Sequence, residues 1–231
     1  MPFWPFASYI HKMKLSAIVP FKPVNPKTRL SCVLSQNERE TFAEQMLSDI
    51  INVLLEAGCT PTILSTHPCE FHDPEDFRET KVLVDSSGLN DALNSLLETI
   101  REPVIIIMAD LPLVTVEAVK LLMDSPYDVV IAPGRGGGTN ALLIRDPSLF
   151  RVNYYGASYM KHRRIALEQG LSVGVVDSFR LFTDVDEKED LVELLIHGTG
   201  RSRVFLEMLG FSILIEKGRM GVERTQSPGL D

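Results

Sequence analysis

Asp110 stands directly after Val104-Ile105-Ile106-Ile107-Met108-Ala109, the most apolar run of the chain. A carboxylate just beyond the carboxyl end of a central strand is where open α/β sheets place their chemistry. It can hold Mg2+, which takes a few carboxylates and completes its shell with phosphate oxygens. It can equally start a turn before Pro112. Asp184 and Asp186 form a second acidic site. Alternate residues of an extended segment share a face, and two close carboxylates need a cation or a basic group beside them. The competing reading is helix capping, with Asp186 as cap and Glu189 three residues on. Lys22, Lys27 and Arg29 lie on a proline-rich loop that begins at Pro20. Three cations there suit an anion, most simply a nucleotide triphosphate; the plain alternative is a solvated basic surface.

Three further loops carry small residues. Gly134-Arg135-Gly136-Gly137-Gly138 leads into Thr139 and Asn140, whose side chains can donate to a phosphate or carboxylate. Glycines let backbone approach a ligand, although a simple hairpin connection needs them as well. Gly156-Ala157-Ser158 opens a helix, and helix amino ends bind anions through free N–H groups; Ser158 is equally a plain N-cap. His162 lies one turn further along the same face, where a lone histidine is usually structural. Gly88-Leu89-Asn90 opens another helix, a place for a base or ribose or, again, a cap. Two acidic sites, several cations and three such loops suit Mg2+-dependent phosphoryl or nucleotidyl transfer. No nucleophile elbow and no Cys/His pairing signature accompanies them. That absence is consistent with an attacking phosphate, whose second proton leaves near pH ~6.

The elements that must position these groups alternate. Runs at 15–20, 62–66, 81–84, 104–109, 128–132, 141–144 and 173–176 read as strands. Segments 89–100, 116–123, 159–169 and 190–196 read as helices, and so does the segment after Ser35, where Glu38 completes a capping box and Gly58 ends the pattern. The stretch 205–215 is mixed. Alternation of this kind implies an α/β fold with a mostly parallel sheet and helices on both faces. The chain of 231 residues is long enough for one such domain, placed at 13–216. Residues 1–12 read as an extension without signal-peptide features, Met13 as an alternative start, and 217–231 as a polar, frayed tail. Net charge is −8, which argues against a broad nucleic-acid footprint. No apolar run reaches membrane-spanning length. Three cysteines without a CxxC pair fit a reducing cytoplasm.

As an ordered set, Pro20-Phe21-Lys22, Lys27-Thr28-Arg29-Leu30, Gly88-Leu89-Asn90, Ala109-Asp110-Leu111-Pro112, Gly138-Thr139-Asn140, Gly156 to His162 and Asp184-Val185-Asp186 with Asp190-Leu191 resemble the archaeal 2-phospho-L-lactate guanylyltransferases of coenzyme F420 biosynthesis, the CofC family. The resemblance implies a Rossmann-like fold of the GT-A nucleotidyltransferase type. It implies GTP and 2-phospho-L-lactate as small-molecule substrates, Mg2+ as cofactor, and a homodimer. Relatives that use phosphoenolpyruvate or 3-phosphoglycerate, and same-fold enzymes acting on molybdopterin or sugar phosphates, are the nearest alternatives; a non-catalytic nucleotide-binding module is the alternative of another class. Carried over by motif, Asp110 and Asp186, with Asp184 beside them, hold the metal. Lys22, Lys27 and Arg29 neutralise the triphosphate and, with Asp110, are catalytic; Pro20, Gly88 and Asn90 meet the nucleotide. Thr139, Asn140, Gly156 and Ser158 grip the acceptor. The chain departs from the family pattern at Glu187, where threonine is usual, and in a segment one residue shorter between Gly156 and Ser158.

Overall fold

A computed structural model describes residues 15–216 and 218–225. The extension expected over 1–12 and the alternative start at Met13 lie outside them. Strands β1 (Leu15–Phe21), β2 (Cys59–Ser65), β3 (Lys81–Val84), β4 (Val104–Ile107), β5 (Val129–Gly134), β6 (Gly138–Ile144) and β7 (Val173–Val175) form one sheet in the order β3-β2-β1-β4-β6-β5-β7. Neighbours are parallel except β6, which runs antiparallel to both β4 and β5.

The β-branched run that marks β4 is buried on both faces, which is why it reads as continuous rather than alternating. Ile105 and Ile107 point into a core completed by α1 (Gln36–Glu56), α3 (Val116–Met123), α5 (Phe179–Phe182), α6 (Leu191–His197) and α7 (Arg201–Met208). Val104 and Ile106 point the other way, towards α2 (Leu89–Leu97) and α4 (Ser158–Glu168). Each of these four side chains has 0% exposure, so truncating one to alanine costs about 2–5 kcal/mol. Toward β1 the strand is the expected parallel core strand. Toward β6 it is antiparallel, because the glycine-rich segment turns β5 back into β6 as a hairpin.

Two polar devices on α1 tie distant chain segments to this frame. Its own start carries the capping box: Ser35 Oγ accepts the Glu38 N–H at 3.4 Å and Glu38 Oε2 accepts the Ser35 N–H at 2.7 Å. Further along, buried Asp49 caps α7 from outside, accepting the Arg201 N–H at 2.6 Å, the Ser202 N–H at 3.0 Å and the Ser202 hydroxyl at 2.5 Å. Gly200 is required there, since a Cβ would collide with the Asp49 carboxylate.

Within the stretch expected as a polar tail over 217–231, Arg219–Arg224 forms half of a hairpin. β8 (Phe211–Glu216) pairs with β9 (Arg219–Arg224), Val222 is buried, and Arg224 donates to Leu209 O, Val33 O and the Glu38 carboxylate. One buried valine and one arginine with several acceptors outweigh the polar composition. The same guanidinium pulls the Glu38 carboxyl down to about 2.

Candidate active site

The loop after β1 is shaped by a residue whose role the sequence does not advertise. Arg39, buried on the first turn of α1, donates Nε to Pro26 O (3.2 Å), Nη1 to Leu34 O (3.1 Å) and Nη2 to Asn25 Oδ1 (2.7 Å). Asn25 also gives its N–H to Glu40 Oε1 at 3.0 Å. Held this way, Asn25 and Lys27 both adopt left-handed backbone, at φ 46° and 48°. Non-glycine residues rarely do so, and the strain persists only where surroundings fix it.

The result is the position of Lys27. Its ammonium lies between two carboxylates, 2.7 Å from Asp110 Oδ2 and 2.5 Å from Asp186 Oδ1. Burial works to lower the Lys27 pKa, but the Asp110 and Asp186 charges outweigh it and the net direction is upward. Arg29 stands at the rim, 3.3 Å from Glu187 and 4.0 Å from Asp186. The acidic side is brought in by backbone: the Val185 N–H donates to Asp110 O at 3.0 Å, which lays 184–186 beside the end of β4. Buried Asp190 accepts the N–H groups of Asp186 and Glu187 at 2.9 and 2.8 Å, and pairs with Arg135. Helix capping is therefore the work of Glu187 and Asp190, not of Asp186 and Glu189. Asp184 is the third carboxylate. Its carboxyl is pushed up first by burial and then by Asp110, and its Oδ1 is buried with no hydrogen-bond partner.

Two cavities open along this edge. One of about 240 Å³ is lined by Lys22, Lys27, Asp110 and Asp186. The other, about 390 Å³, runs on past Lys22 to Asp85, Ser87 and Gly88. Pro20, Phe21, Lys22 and Met108 line both, so they form one groove. A larger cavity of about 650 Å³ lies between α1 and α7, but the carboxylate in its lining, Asp49, is committed to capping. The cations and carboxylates singled out by the sequence line the smaller groove instead.

On the far side, several expected ligand groups face inward. Thr139 and Ser158 are each 4% exposed. His162 Nε2 accepts the Asn153 N–H at 2.9 Å, so its proton is on Nδ1 and is donated to Thr139 Oγ1 at 3.0 Å. Ser158 Oγ donates to the same oxygen at 3.2 Å. Burial, with Lys161 adding, lowers the His162 pKa to about 4. Asn140 gives its amide to Leu181 O (2.9 Å) and Phe182 O (3.1 Å) and fills the space a Cβ at Gly134 would need. Asn90 grips Tyr154 in both directions, Nδ2 to O at 3.3 Å and N–H to Oδ1 at 2.6 Å; Asn94, one turn on, does the same to Val152. That ladder holds the segment leading into Tyr155, Gly156 and Ala157, all at positive φ. The amides opening α4 remain as anion donors.

Lys22, Lys27, Arg29, Asp110, Asp184, Asp186, Pro20 and Gly88 thus converge on one edge. The side chains of Asn90, Thr139, Asn140 and Ser158 make hydrogen bonds within the protein, and Gly156 stands at positive φ before α4. The roles of Arg39 and Asn94 were not foreseen, because their partners lie on other segments, which no local motif records; Asp190 acts through its capping box with Glu187 and through Arg135. Among the described residues no helix is long and apolar enough to cross a membrane.

The fold recurs in known proteins. A protein described as a nucleotide-diphospho-sugar transferase from Desulfovibrio desulfuricans G20 superposes with a TM-score of 0.68 at 19% identity, covering 85% of this chain and 95% of that one. A nucleotidyl transferase from Methanothermobacter thermautotroptrophicus gives 0.56 at 14%, covering 84% and 99%. These likenesses establish the fold. The 2-phospho-L-lactate guanylyltransferase of Methanoculleus marisnigri is 52% identical over 92% of this chain and 97% of its own. That of Methanoregula boonei is 51% identical over 92% and 96%. The family model for guanylyl transferases of the CofC-like type matches residues 15–226, and the chain belongs to that family.

Proposed function

We propose that the chain transfers the guanylyl group of GTP to 2-phospho-L-lactate, giving lactyl-2-diphospho-5′-guanosine and pyrophosphate, the nucleotide-joining step of coenzyme F420 biosynthesis. The observation that carries this reading is the Lys27 ammonium seated between Asp110 and Asp186 at the mouth of a groove. It puts a buried cation and two hard-oxygen acids at one point, with Lys22 and Arg29 beside them. The names of the relatives support the acceptor.

An oxygen of the acceptor phosphate attacks the α-phosphorus of GTP, the bond from that phosphorus to the bridging oxygen breaks, and pyrophosphate leaves with the electron pair. The acceptor has already lost its second proton near pH ~6, so no protein base is required. Lys22, Lys27 and Arg29 neutralise the triphosphate, and the α4 amino end and Gly156 backbone orient the acceptor. No group of three or more side chains stands ready as a complete metal cage among the described residues. Asp110 and Asp186, with the unpartnered Asp184 oxygen, are instead the sparse carboxylate set that suits Mg2+ shared with phosphates. Mg2+ held by these carboxylates would supply charge neutralisation for the phosphates. We also place the enzyme in the cytoplasm, as a homodimer.

Pyrophosphate release, measured with four nucleotides crossed against 2-phospho-L-lactate, phosphoenolpyruvate and 3-phosphoglycerate, tests the reading. Turnover is expected with GTP, Mg2+ and 2-phospho-L-lactate together; no turnover with any pair refutes it.

A further inference from the structure

The second compartment of the groove contains a group that phosphate chemistry does not use. Its lining is largely apolar, with Leu64, Leu89, Ala92 and Met108, and Tyr155 stands at its edge. Asp85 is the one carboxylate in that lining. The residue is tied down at its backbone, where its N–H donates to Ser65 O at 2.9 Å. Its Oδ1 accepts the Ser87 N–H at 2.8 Å and the Ser87 hydroxyl at 2.6 Å. Its Oδ2 has no protein donor among the described residues. The Ser87 hydroxyl and N–H hold the carboxyl below its usual range, so it is ionised at neutral pH.

A nucleotide whose phosphates lie by Lys22 and Lys27 sends its nucleoside into this compartment, because Lys22 borders both. An apolar slot suits a purine face, and a fixed carboxylate suits one purine edge. Guanine presents two donors side by side, N1–H and the 2-amino group. Adenine presents an N1 acceptor there, which a carboxylate repels. We infer that Asp85 reads the nucleobase edge and sets the preference for guanine, with Oδ2 accepting N1–H and the amino N–H. This rests on the guanylyl-transfer reading above.

The test is the Asp85→Asn variant of the full chain, with Asp85→Ala as a second, each checked for an unchanged thermal melt. Wild type is expected to prefer GTP over ITP and to reject XTP and ATP. In Asp85→Asn the amide oxygen stays on the two Ser87 donors and the NH2 group faces the base, where it donates to a C2 carbonyl but accepts nothing from N1–H or the 2-amino group, so the variant is expected to lose on the order of 100-fold in kcat/KM with GTP and to gain with XTP. Asp85→Ala should lose the GTP preference without gaining XTP. An unchanged GTP-to-XTP ratio in Asp85→Asn overturns the inference. So does an equal loss on every base, which would put Asp85 on the ribose. If wild type turns over no nucleotide, the guanylyl-transfer reading fails by itself. The thermal shifts given by GDP and XDP to wild type and Asp85→Asn then decide the base reading, and identical or absent shifts overturn it.

Discussion

Acid should unfold this protein through His162 before it protonates the carboxylates. His162 is 0% exposed, its Nε2 accepts a backbone N–H and its Nδ1–H is donated to Thr139. Protonating Nε2 would place two donors face to face in a buried knot. The folded pKa is accordingly about 4 against 6.5 in the open chain. The unfolded state binds the extra proton first, so stability rises with pH between these values and is flat above them. Taking the pH from 7.5 to 5 then removes about 2 kcal/mol, and reaching pH 4 removes about 3 kcal/mol. Glu38, whose carboxyl is near 2 when folded and 4.5 as a free group, loses its contribution as the pH falls from 4.5 to about 2, so it overlaps His162 only at the acid end of that range. Asp49 and Asp184, raised by burial, act in the opposite direction. Urea unfolding at half-unit pH steps, for wild type and His162→Asn, isolates the effect, since the carboxylates cancel in the difference. The wild type should show the steeper fall between pH 7.5 and 5, by about 2 kcal/mol. Superimposable slopes, or a His162 ring resonance titrating near 6.5 in the folded protein, would sink this account.

Asp110→Asn should reduce turnover about 1,000-fold while the melting temperature stays at or above wild type, because the variant leaves Lys27 one carboxylate and removes one of a crowded set; a rate within tenfold of wild type refutes its role. Arg39→Gln removes most of three hydrogen bonds from a buried site and should cost about 2–4 kcal/mol in urea unfolding. The same change should raise KM for GTP, since the loop bearing Lys27 loses its anchor; an unchanged KM would separate the anchor from the site. Asp49→Ala should cost about 1–2 kcal/mol through the lost α7 cap and leave the steady-state constants alone; a changed KM would mean that α7 communicates with the groove.

The frame was legible because its signals are local. The β-branched run of β4, the Ser35–Glu38 box and the glycine ending α1 declare themselves within a few residues. The convergence of Lys27, Asp110 and Asp186 followed from a general rule about strand ends combined with charge. What stayed hidden was the side-chain wiring. Asn90 and Asn94 look like residues of an ordinary helix start until the segment at 152–154 is laid against them. Thr139 and Ser158 have ligand-like types, but a histidine on the next turn claims the hydroxyl they share. Arg224 sits in a stretch whose composition says tail, and its acceptors lie almost the whole chain away. In each case a partner remote in sequence decides: Tyr154 for Asn90, His162 for Thr139, and Val33 with Glu38 for Arg224.

The sheet order β4-β6-β5 also imposes a history on the molecule. β5 leaves the ribosome before β6, and its run Val129-Val130-Ile131-Ala132 is apolar enough to seek the bare edge of β4 at once. A β4–β5 pairing made in that interval would have to be torn open for β6 to enter. Productive folding therefore asks the β5–β6 hairpin to close first and dock as a unit. Closure depends on the tight Gly136–Gly137 corner, where φ is 62° and 81°. The corner is thus a timing element: slowing it with a β-branched residue would leave the finished enzyme's groove nearly untouched while lengthening the period in which a newborn chain can aggregate.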